Sequence, residues 1–346
     1  MKKNILITAV GGRSVGSGIL HALTRSSAEV ASRWNIIAAD ADTFSWGLYK
    51  VKERTLLPFA GEPNYIDAVL AAVKKFDLHA IIPGSEAEAN VLSKNKHLFN
   101  IPIITNEHEI MPLMMDKFAT TLKLKELGLP VIPTYKIEDW AQALEKFEFP
   151  FIVKPTTGTG GSKGVTICAS EIALKTIINN LPVNSGYCIQ PLIGTEEEEY
   201  TVGVLSDKNG QLIDSIVMKR KLLGLSLLDT KIIEGKKMSI STGYSQGYFI
   251  KHQQIQNFCE KLSASINSKG PLNIQLRIHK DEIYVFEIHP RFSGTTTMRA
   301  DVGFNEPDLL LRNYLFNENF GRLNHQTEVA VIRAFEHVVV PISEML

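Results

Sequence analysis

The chain has 346 residues, 44% of them apolar and 21% charged, and its 37 basic side chains balance its 37 acidic ones. That length exceeds one ordinary hydrophobic core and predicts two or three packed units, while the composition excludes a disordered or fibrous chain. Zero net charge gives no indication of a nucleic acid or a membrane surface as partner. Three widely spaced cysteines with no CxxC motif predict neither a disulfide framework nor a zinc site, so we expect a cytoplasmic protein.

The first third of the chain alternates predicted strands and helices. In this region, segments with helical spacing of apolar residues are clearly distinct from the short apolar runs that predict strands. Strands separated by helices of this length predict βαβ units, and therefore a parallel, Rossmann-like sheet. The predicted strands are 4–10, 36–40, 80–84 and 101–105, and the predicted helices are 14–26, 65–75 and 86–98.

The remaining two-thirds has a different order of elements. A helix over 116–127 is stopped by Gly128, with Pro130 just beyond it. Short strands with polar turns then follow one another, which is typical of an α+β unit. These strands are 151–154, 165–168, 188–190, 200–205, 212–218, 270–279, 282–288 and a last region near 328–335, with helices at 252–268 and near 307–315. The predicted fold class is therefore an α/β domain followed by an α+β region.

A glycine-rich turn follows the first strand, and Asp40 ends the second strand. Residues 11–18 contain glycines at Gly11, Gly12, Gly16 and Gly18, and such glycines let a backbone approach phosphates at a helix N-terminus. The spacing is not a strict GxGxxG. A structural or substrate-side loop is therefore favoured over an NAD site.

A second glycine-rich segment follows Lys154, which ends an apolar strand. Residues 156–165 contain four glycines and several hydroxyls, so their N–H groups could fold over a triphosphate, while Lys154 would supply a point charge. Strands on both sides predict a hairpin flap and not a P-loop, which would open into a helix. A flexible surface hairpin is the alternative, and the lysine in the strand before the loop favours the phosphate site.

The late hairpin 273–294 carries the third motif. Strand alternation places Glu287 and His289 on one face, with Gln275 beside them on the partner strand. A carboxylate and an amide oxygen facing a triphosphate suit Mg²⁺, and Arg291 would neutralise charge on a transferred phosphoryl group. A surface ion pair of Glu287 with Arg291 is the alternative, and the apolar strand between them disfavours it.

Together, and in this order, the three motifs resemble the ATP-grasp superfamily, in the branch similar to the carbamoyl phosphate synthase large subunit. The resemblance implies a pre-ATP-grasp α/β domain over 1–110, a small lid subdomain over 111–186 and a C-terminal subdomain over 187–346. It implies ATP clamped between the two α+β halves, with Mg²⁺ or Mn²⁺ as the metal. It also implies roles for particular residues. These are Lys117 and Lys154 as phosphate contacts; Gly158, Gly160, Gly161 and Ser162 in the lid; Gln190, Pro191, Leu192 and Ile193 as the adenine hinge; Glu199 on ribose, with Glu197 as the fallback; Gln275, Glu287 and His289 as metal ligands; Arg291, Lys154 and Arg220 in catalysis; and Glu86 and Arg299 on the substrate.

Two positions depart from the family pattern. The hinge usually starts with Glu, where this chain has Gln190, and backbone contacts to adenine would survive that change. His289 stands where the family has Asn, and an imidazole is a poor Mg²⁺ ligand. Two substrate assignments also have structural alternatives: Arg299 could form an internal ion pair, and Glu86 could be an ordinary acid at a helix N-terminus.

The resemblance implies an ATP- and Mg²⁺-dependent ligase that activates a carboxylate as an acyl phosphate and passes it to an amine, releasing ADP and phosphate. Small-molecule acids and amines are the expected partners, without nucleic acid or membrane. The resemblance suggests a homodimer, which is common in the family, and leaves the oligomeric state open. One alternative is a bicarbonate-activating, carbamoyl phosphate synthase-like enzyme. Others are an NAD-dependent oxidoreductase that uses Asp40, and a non-catalytic ATP-binding sensor, which His289 would favour.

Overall fold

A computed structural model of the protein describes residues 2–12, 14–157, 164–182, 184–233, 236–242 and 244–346. Within these ranges the strands form a parallel four-stranded sheet, two antiparallel sheets of four and six strands, and a two-stranded hairpin. An α/β domain followed by an α+β region confirms the predicted fold class. No helix in these ranges is both long and apolar enough to cross a membrane.

The N-terminal domain is a parallel sheet covered by helices on both faces. Alternation along the first strand turns Ile5 and Ile7 toward the first helix, and Leu6 toward the opposite face with Tyr65 and Val69. The strands are β1 (Lys3–Ile7), β2 (Trp34–Asp40), β3 (Glu53–Leu56) and β4 (Ala80–Ile82), in the order β3-β2-β1-β4. The helices are α1 (Val15–Thr24), α2 (Ala28–Arg33), α3 (Tyr65–Lys75) and α4 (Glu86–Lys94).

The N-terminal domain differs from the sequence expectation at two strands. The strand predicted at 101–105 is reduced to an isolated bridge between Ile81 and Ile103, because Pro102 has no N–H to donate to a ladder. β3 was not predicted, since none of its four side chains is fully buried and its sequence shows no apolar run.

The small half of the α+β region is an antiparallel sheet reached through α5 (Met111–Met115) and α6 (Lys117–Glu126). Its core gathers Phe151, Val153, Cys168, Leu174 and Ile189. The strands are β5 (Tyr135–Lys136), β6 (Phe151–Pro155), β7 (Thr166–Cys168) and β8 (Tyr187–Pro191), in the order β5-β8-β6-β7, with helices α7 (Trp140–Lys146) and α8 (Glu171–Asn180). Because β8 pairs with β6, we propose a boundary between the two halves after residue 191.

The large half is built on a six-stranded sheet in the order β15-β14-β9-β10-β13-β16. Its strands are β9 (Glu199–Ser206), β10 (Leu212–Arg220), β13 (Gly247–Ile250), β14 (Pro271–His279), β15 (Glu282–His289) and β16 (Val329–Val331). The helices are α9 (Gln253–Ser265), α10 (Thr296–Asp301) and α11 (Glu306–Phe316), and the strands β11 (Leu227–Ile233) and β12 (Lys236–Ser241) pair as a separate hairpin. Ile19 and Leu23 of α1 share a core with Phe304 and Leu310, which fixes the N-terminal domain against this half.

Candidate active site

An open cleft of about 840 Å³ lies between the small and large halves. One wall comes from the small sheet and the other from β9, β10, β14 and β15 of the large sheet. The predicted residues that line it are Lys117, Lys154, Gln190, Pro191, Leu192, Ile193, Glu199, Arg220, Gln275 and Glu287. The fold therefore brings together motifs that are more than a hundred residues apart in the sequence.

Part of the cleft is an apolar slot. Ile132, Ile152 and Ile167 line it with Leu192 and Phe286, an arrangement that suits a flat aromatic ring. The predicted hinge, residues 190–193, runs along this slot. The buried Gln190 side chain donates to Thr134 Oγ1 at 2.6 Å, so its amide nitrogen is held by the protein.

Two lysines stand at the charged part of the cleft. Lys154 is only 6% exposed, and burial lowers the pKa of its ammonium group below the ordinary value. Lys117 begins α6, and its backbone N–H donates to the carbonyl of Thr156 at 2.9 Å, which ties this helix to the strand that carries Lys154. The lid residues Gly158, Gly160, Gly161 and Ser162 lie outside the described residues.

Glu287 is the carboxylate at the centre of this charged region. Gln275 stands directly opposite it in the β14–β15 register, and its amide donates to Glu287 Oε2 at 2.8 Å. His289 Nε2 lies 3.1 Å from the same oxygen, and Lys117 Nζ lies 3.5 Å from Oε1. Burial alone would raise the pKa of Glu287, but His289 and then Lys117 outweigh it and lower the pKa. The carboxylate is therefore ionised and surrounded by donors.

A divalent metal fits some of the predicted ligands better than others. In the described part of the chain no group of three or more His, Cys, Asp or Glu side chains is arranged to hold a metal ion, so a metal would depend on phosphate oxygens to complete its shell. Glu287 supplies hard carboxylate oxygens, and Gln275 carries an amide oxygen that now accepts from Arg220 Nη1 at 3.3 Å. Both ring nitrogens of His289 lie against carboxylates, 2.9 Å from Glu86 and 3.1 Å from Glu287. His289 is thus placed as a partner of two acids and offers no lone pair to a metal in this arrangement.

The N-terminal domain contributes Glu86, the first residue of α4. Its Oε2 accepts from His289 Nδ1 at 2.9 Å and from Arg291 Nη2 at 3.2 Å. Burial would raise the pKa of Glu86, but the hydrogen bond from His289 and the nearby Arg291 lower it to about 2. The predicted substrate contact Glu86 and the predicted catalytic Arg291 therefore lie together, one side chain away from Glu287.

Glu199 is held by two arginines at the side of the cleft. Its Oε1 accepts from Arg220, and its Oε2 accepts from Arg277 Nη2 at 2.7 Å. Burial would raise the pKa of Glu199, but the two guanidinium groups lower it below the ordinary value. Glu197 is exposed, so Glu199 is the acid of this run that lines the cleft. Arg277 had no predicted role, although its position two residues after Gln275 places both on one face of β14.

The structure does not support the substrate contact predicted for Arg299. This side chain is 1% exposed, and it donates to Glu306 Oε1 at 2.9 Å and to Asn273 Oδ1 at 2.7 Å. A Cβ atom on Gly203 would lie only 2.4 Å from Arg299 Nη1, so the arginine fills the space under β9. Arg299 forms the internal ion pair that was the alternative to a substrate contact.

The Asp40 carboxylate is hydrogen-bonded to the glycine-rich loop beside which it was predicted to lie. Its Oδ2 accepts from the Gly11 N–H at 2.9 Å, and its Oδ1 accepts from the Asp42 N–H at 3.2 Å. Ser14 caps α1 by accepting from Ser17 N at 3.1 Å. The carboxylate that would bind a ribose in a dinucleotide site thus stabilises a turn, and the glycines serve the structural role favoured above.

Two family models match the chain. Residues 5–104 match the PylC-like N-terminal domain, and residues 194–338 match a family described as ATP-grasp in the biosynthetic pathway with the Ter operon. These two matches fall on the parallel-sheet domain and on most of the large half.

Solved structures share the fold along nearly the whole chain. An N5-carboxyaminoimidazole synthetase from Staphylococcus aureus, complexed with ADP, has a TM-score of 0.69 at 15% identity over 94% of this chain and 81% of its own. The biotin carboxylase domain dimer of 2-oxoglutarate carboxylase from Hydrogenobacter thermophilus, with MgADP and bicarbonate, has a TM-score of 0.65 at 17% identity, over 95% and 72%. An L-amino acid ligase from Bacillus licheniformis has a TM-score of 0.63 at 18% identity, over 91% and 74%. The resemblance predicted from the sequence is confirmed: residues 194–338 match an ATP-grasp family, and the fold is shared with these solved structures.

Proposed function

We propose that the protein is an ATP- and Mg²⁺-dependent ligase that activates a carboxylic acid as an acyl phosphate and joins it to an amine. One observation carries this proposal. Lys117, Lys154 and Glu287 converge beside an apolar slot, and Arg291 with Glu86 adjoins them from the side of the N-terminal domain. Such a site offers a place for a base, a triphosphate and a second substrate in sequence along one cleft.

The residues have distinct tasks in the first step. The acid's carboxylate oxygen attacks the γ-phosphorus of ATP, the bond to the β–γ bridging oxygen breaks, and ADP leaves. Lys154 and Arg291 spread the charge that develops on the transferred phosphoryl group. Glu287 and the amide oxygen of Gln275 would hold Mg²⁺, which neutralises phosphate charge when it is bound.

The second step needs no covalent attachment to the enzyme. The amine nitrogen attacks the acyl carbon, a C–N bond forms, the bond from carbon to the phosphate oxygen breaks, and phosphate leaves with the proton that the nitrogen gives up. Glu86, from the N-terminal domain, is hydrogen-bonded to Arg291, so an incoming amine would meet a carboxylate beside this arginine. Because water would hydrolyse the intermediate, the site has to close over it.

A trapping experiment tests the proposal. The purified chain, Mg·ATP and a panel of acids are incubated with hydroxylamine, and ADP, phosphate and the hydroxamate product are measured. We expect acid-dependent ADP release with equal hydroxamate, since hydroxylamine intercepts an acyl phosphate. ADP release with bicarbonate alone would assign the bicarbonate-activating alternative, and ATP binding without turnover in any mixture would assign the sensor.

The homodimer expected from the sequence stays a proposal. The biotin carboxylase domain compared above was solved as a dimer, which supports testing the same state here. Light scattering of the purified chain gives the mass directly. A mass near twice 38.5 kDa would agree with the proposal, and a mass near 38.5 kDa would contradict it.

A further inference from the structure

Two arginines are held by the same short loop beside the proposed site. Arg291 Nη1 donates to the carbonyl of Phe292 at 2.7 Å, and Arg333 Nη2 donates to the carbonyl of Gly294. The two carbonyls belong to residues only two apart, whose Cα atoms are at most about 7 Å from each other. Arg333, which follows β16, is therefore hydrogen-bonded to the same loop that holds Arg291.

The loop itself is firmly built. The Ser293 N–H donates to Thr296 Oγ1 at 3.2 Å, and Thr296 Oγ1 donates to the buried Glu306 at 3.1 Å. Phe292, Ser293 and Thr296 are all at most 4% exposed. A loop fixed in this way can position both guanidinium groups before any substrate arrives.

The charge of Arg333 has no carboxylate partner among the described residues. Its guanidinium carbon lies 5.4 Å from the ring centre of Tyr244, and its other described side-chain contact is the Gly294 carbonyl. Burial lowers the pKa of Arg333, because the half-buried guanidinium group is partly removed from water. The buried Arg220 and Arg299, by contrast, each hold a glutamate.

The acidic side chains considered as partners for Arg333 already form ion pairs with other residues. Glu86 is shared between His289 and Arg291, and Glu336, close to Arg333 in the sequence, pairs with Arg25 at 2.8 Å on the surface. Arg333 is half-buried, and a partly desolvated cation without an anion is costly and characteristic of binding sites. The missing anion is therefore expected from a ligand.

We propose that Arg333 binds a second anionic group of the acid substrate, so that the acid is a dicarboxylate or a phosphorylated acid. This inference rests on the proposed ligase function. Arg291 faces the carboxylate that is activated, and Arg333, which is hydrogen-bonded to the same loop, binds the far end of the acid substrate. A planar guanidinium group recognises carboxylate and phosphate oxygens alike, and a neutral amide or hydroxyl of the same shape leaves it unpaired.

Isosteric pairs of acids test this inference. The pairs are glutamate with glutamine, aspartate with asparagine, succinate with succinamate, and O-phosphoserine with serine. Each is assayed by hydroxamate formation, with kcat and KM measured separately. We expect the anionic member to be preferred in at least one pair, and the preferred pair distinguishes a carboxylate from a phosphate.

Variants of Arg333 then assign the preference to this residue. Arg333→Gln should raise KM for the preferred anionic acid by roughly thirtyfold or more, with KM for ATP unchanged. Arg333→Lys should recover part of the loss, because it keeps the charge without the fork of donors. Arg25→Gln is the matched control, since this arginine pairs with Glu336 at the surface and should leave both KM values unchanged.

Several outcomes would overturn the inference. Equal use of both members of every pair, or an unchanged preference in Arg333→Gln, would show that Arg333 binds no second anion. If bicarbonate were the sole acid used, the role of Arg333 in binding a second anion would be excluded, while ATP-dependent activation of an acid would still hold. ATP binding without any acid-dependent turnover would overturn the ligase proposal and this inference together. If Arg333→Gln does not fold, as judged by thermal unfolding, Arg333→Lys carries the test, and wild-type kinetics in that variant would contradict a role for the guanidinium fork.

Discussion

Replacing Glu86 by glutamine should weaken the contact between the N-terminal domain and the site. Glu86 belongs to α4, whereas its partners His289 and Arg291 belong to the large half. Glutamine keeps the shape and one acceptor oxygen but removes the negative charge. The variant therefore isolates the electrostatic part of the contact.

The expected magnitude follows from the pKa of the carboxyl group. Folding lowers the pKa of Glu86 from 4.5 to about 2, and its side chain is 24% exposed. A shift of this size corresponds to about 3 kcal/mol of stability at neutral pH, at about 1.4 kcal/mol per pKa unit. Because the folded-state pKa is the lower one, this stability is present above the unfolded-state pKa and is lost as the pH falls through the folded-state value.

Urea unfolding of wild type and Glu86→Gln at several pH values measures this contribution. At pH 7 the variant should be less stable by about 3 kcal/mol, and near pH 3 the difference should fall to less than half of that. Glu29→Gln serves as a control, since the Glu29 side chain is 78% exposed and pairs with Arg33 one helical turn away. Its effect should stay below about 0.5 kcal/mol at every pH.

Two results would refute this reasoning. A Glu86→Gln variant as stable as wild type at pH 7 would mean that the charges of His289 and Arg291 are satisfied without Glu86. A stability difference that is the same at pH 7 and pH 3 would mean that the effect is steric and not electrostatic.

Three further variants test the cleft and the buried ion pairs. Glu287→Gln should reduce acid-dependent phosphate release by at least about a hundredfold, and near-normal turnover would contradict its role as metal ligand. The variant should also be less stable, because His289 and Lys117 lower the pKa of this carboxyl group in the folded protein. Arg220→Met should lower the stability to urea by about 2 kcal/mol, because Glu199 loses one charged partner but keeps the other, and an unchanged urea midpoint would argue against that pairing. Arg299→Met should cost about 3–5 kcal/mol, since it leaves the buried Glu306 without a charged partner, and a specific rise in substrate KM without loss of stability would restore a substrate role for Arg299.

Local periodicity allowed much of the fold and part of the site to be predicted. Strand alternation placed Glu287 and His289 on one face with Gln275 opposite, and the β14–β15 register confirms that pairing. The position of Lys154 at the end of an apolar strand likewise indicated a buried lysine, and its side chain is buried. These features were predictable because each depends on neighbours within one strand or one hairpin.

Some elements gave no clear local signal. β3 has no fully buried side chain, and the hairpin of β11 and β12 covers the cleft with Ser239 and Ile240 although no strand was expected there. The residues 101–105 looked like a strand but form a single bridge, because Pro102 interrupts the ladder. Burial in these segments depends on what packs over them, which composition alone does not reveal.

The sequence by itself determined the class of fold and several of the groups that line the cleft, since strand and helix periods and the chemistry of Lys154 and Glu287 are local properties. Only the tertiary structure decided which charges pair. Glu86 meets His289 across 203 residues, and Arg299 turns to Glu306 beneath the sheet. The partner of a buried charge is set by three-dimensional proximity, because desolvation makes each ion take the nearest opposite charge that the packed chain provides.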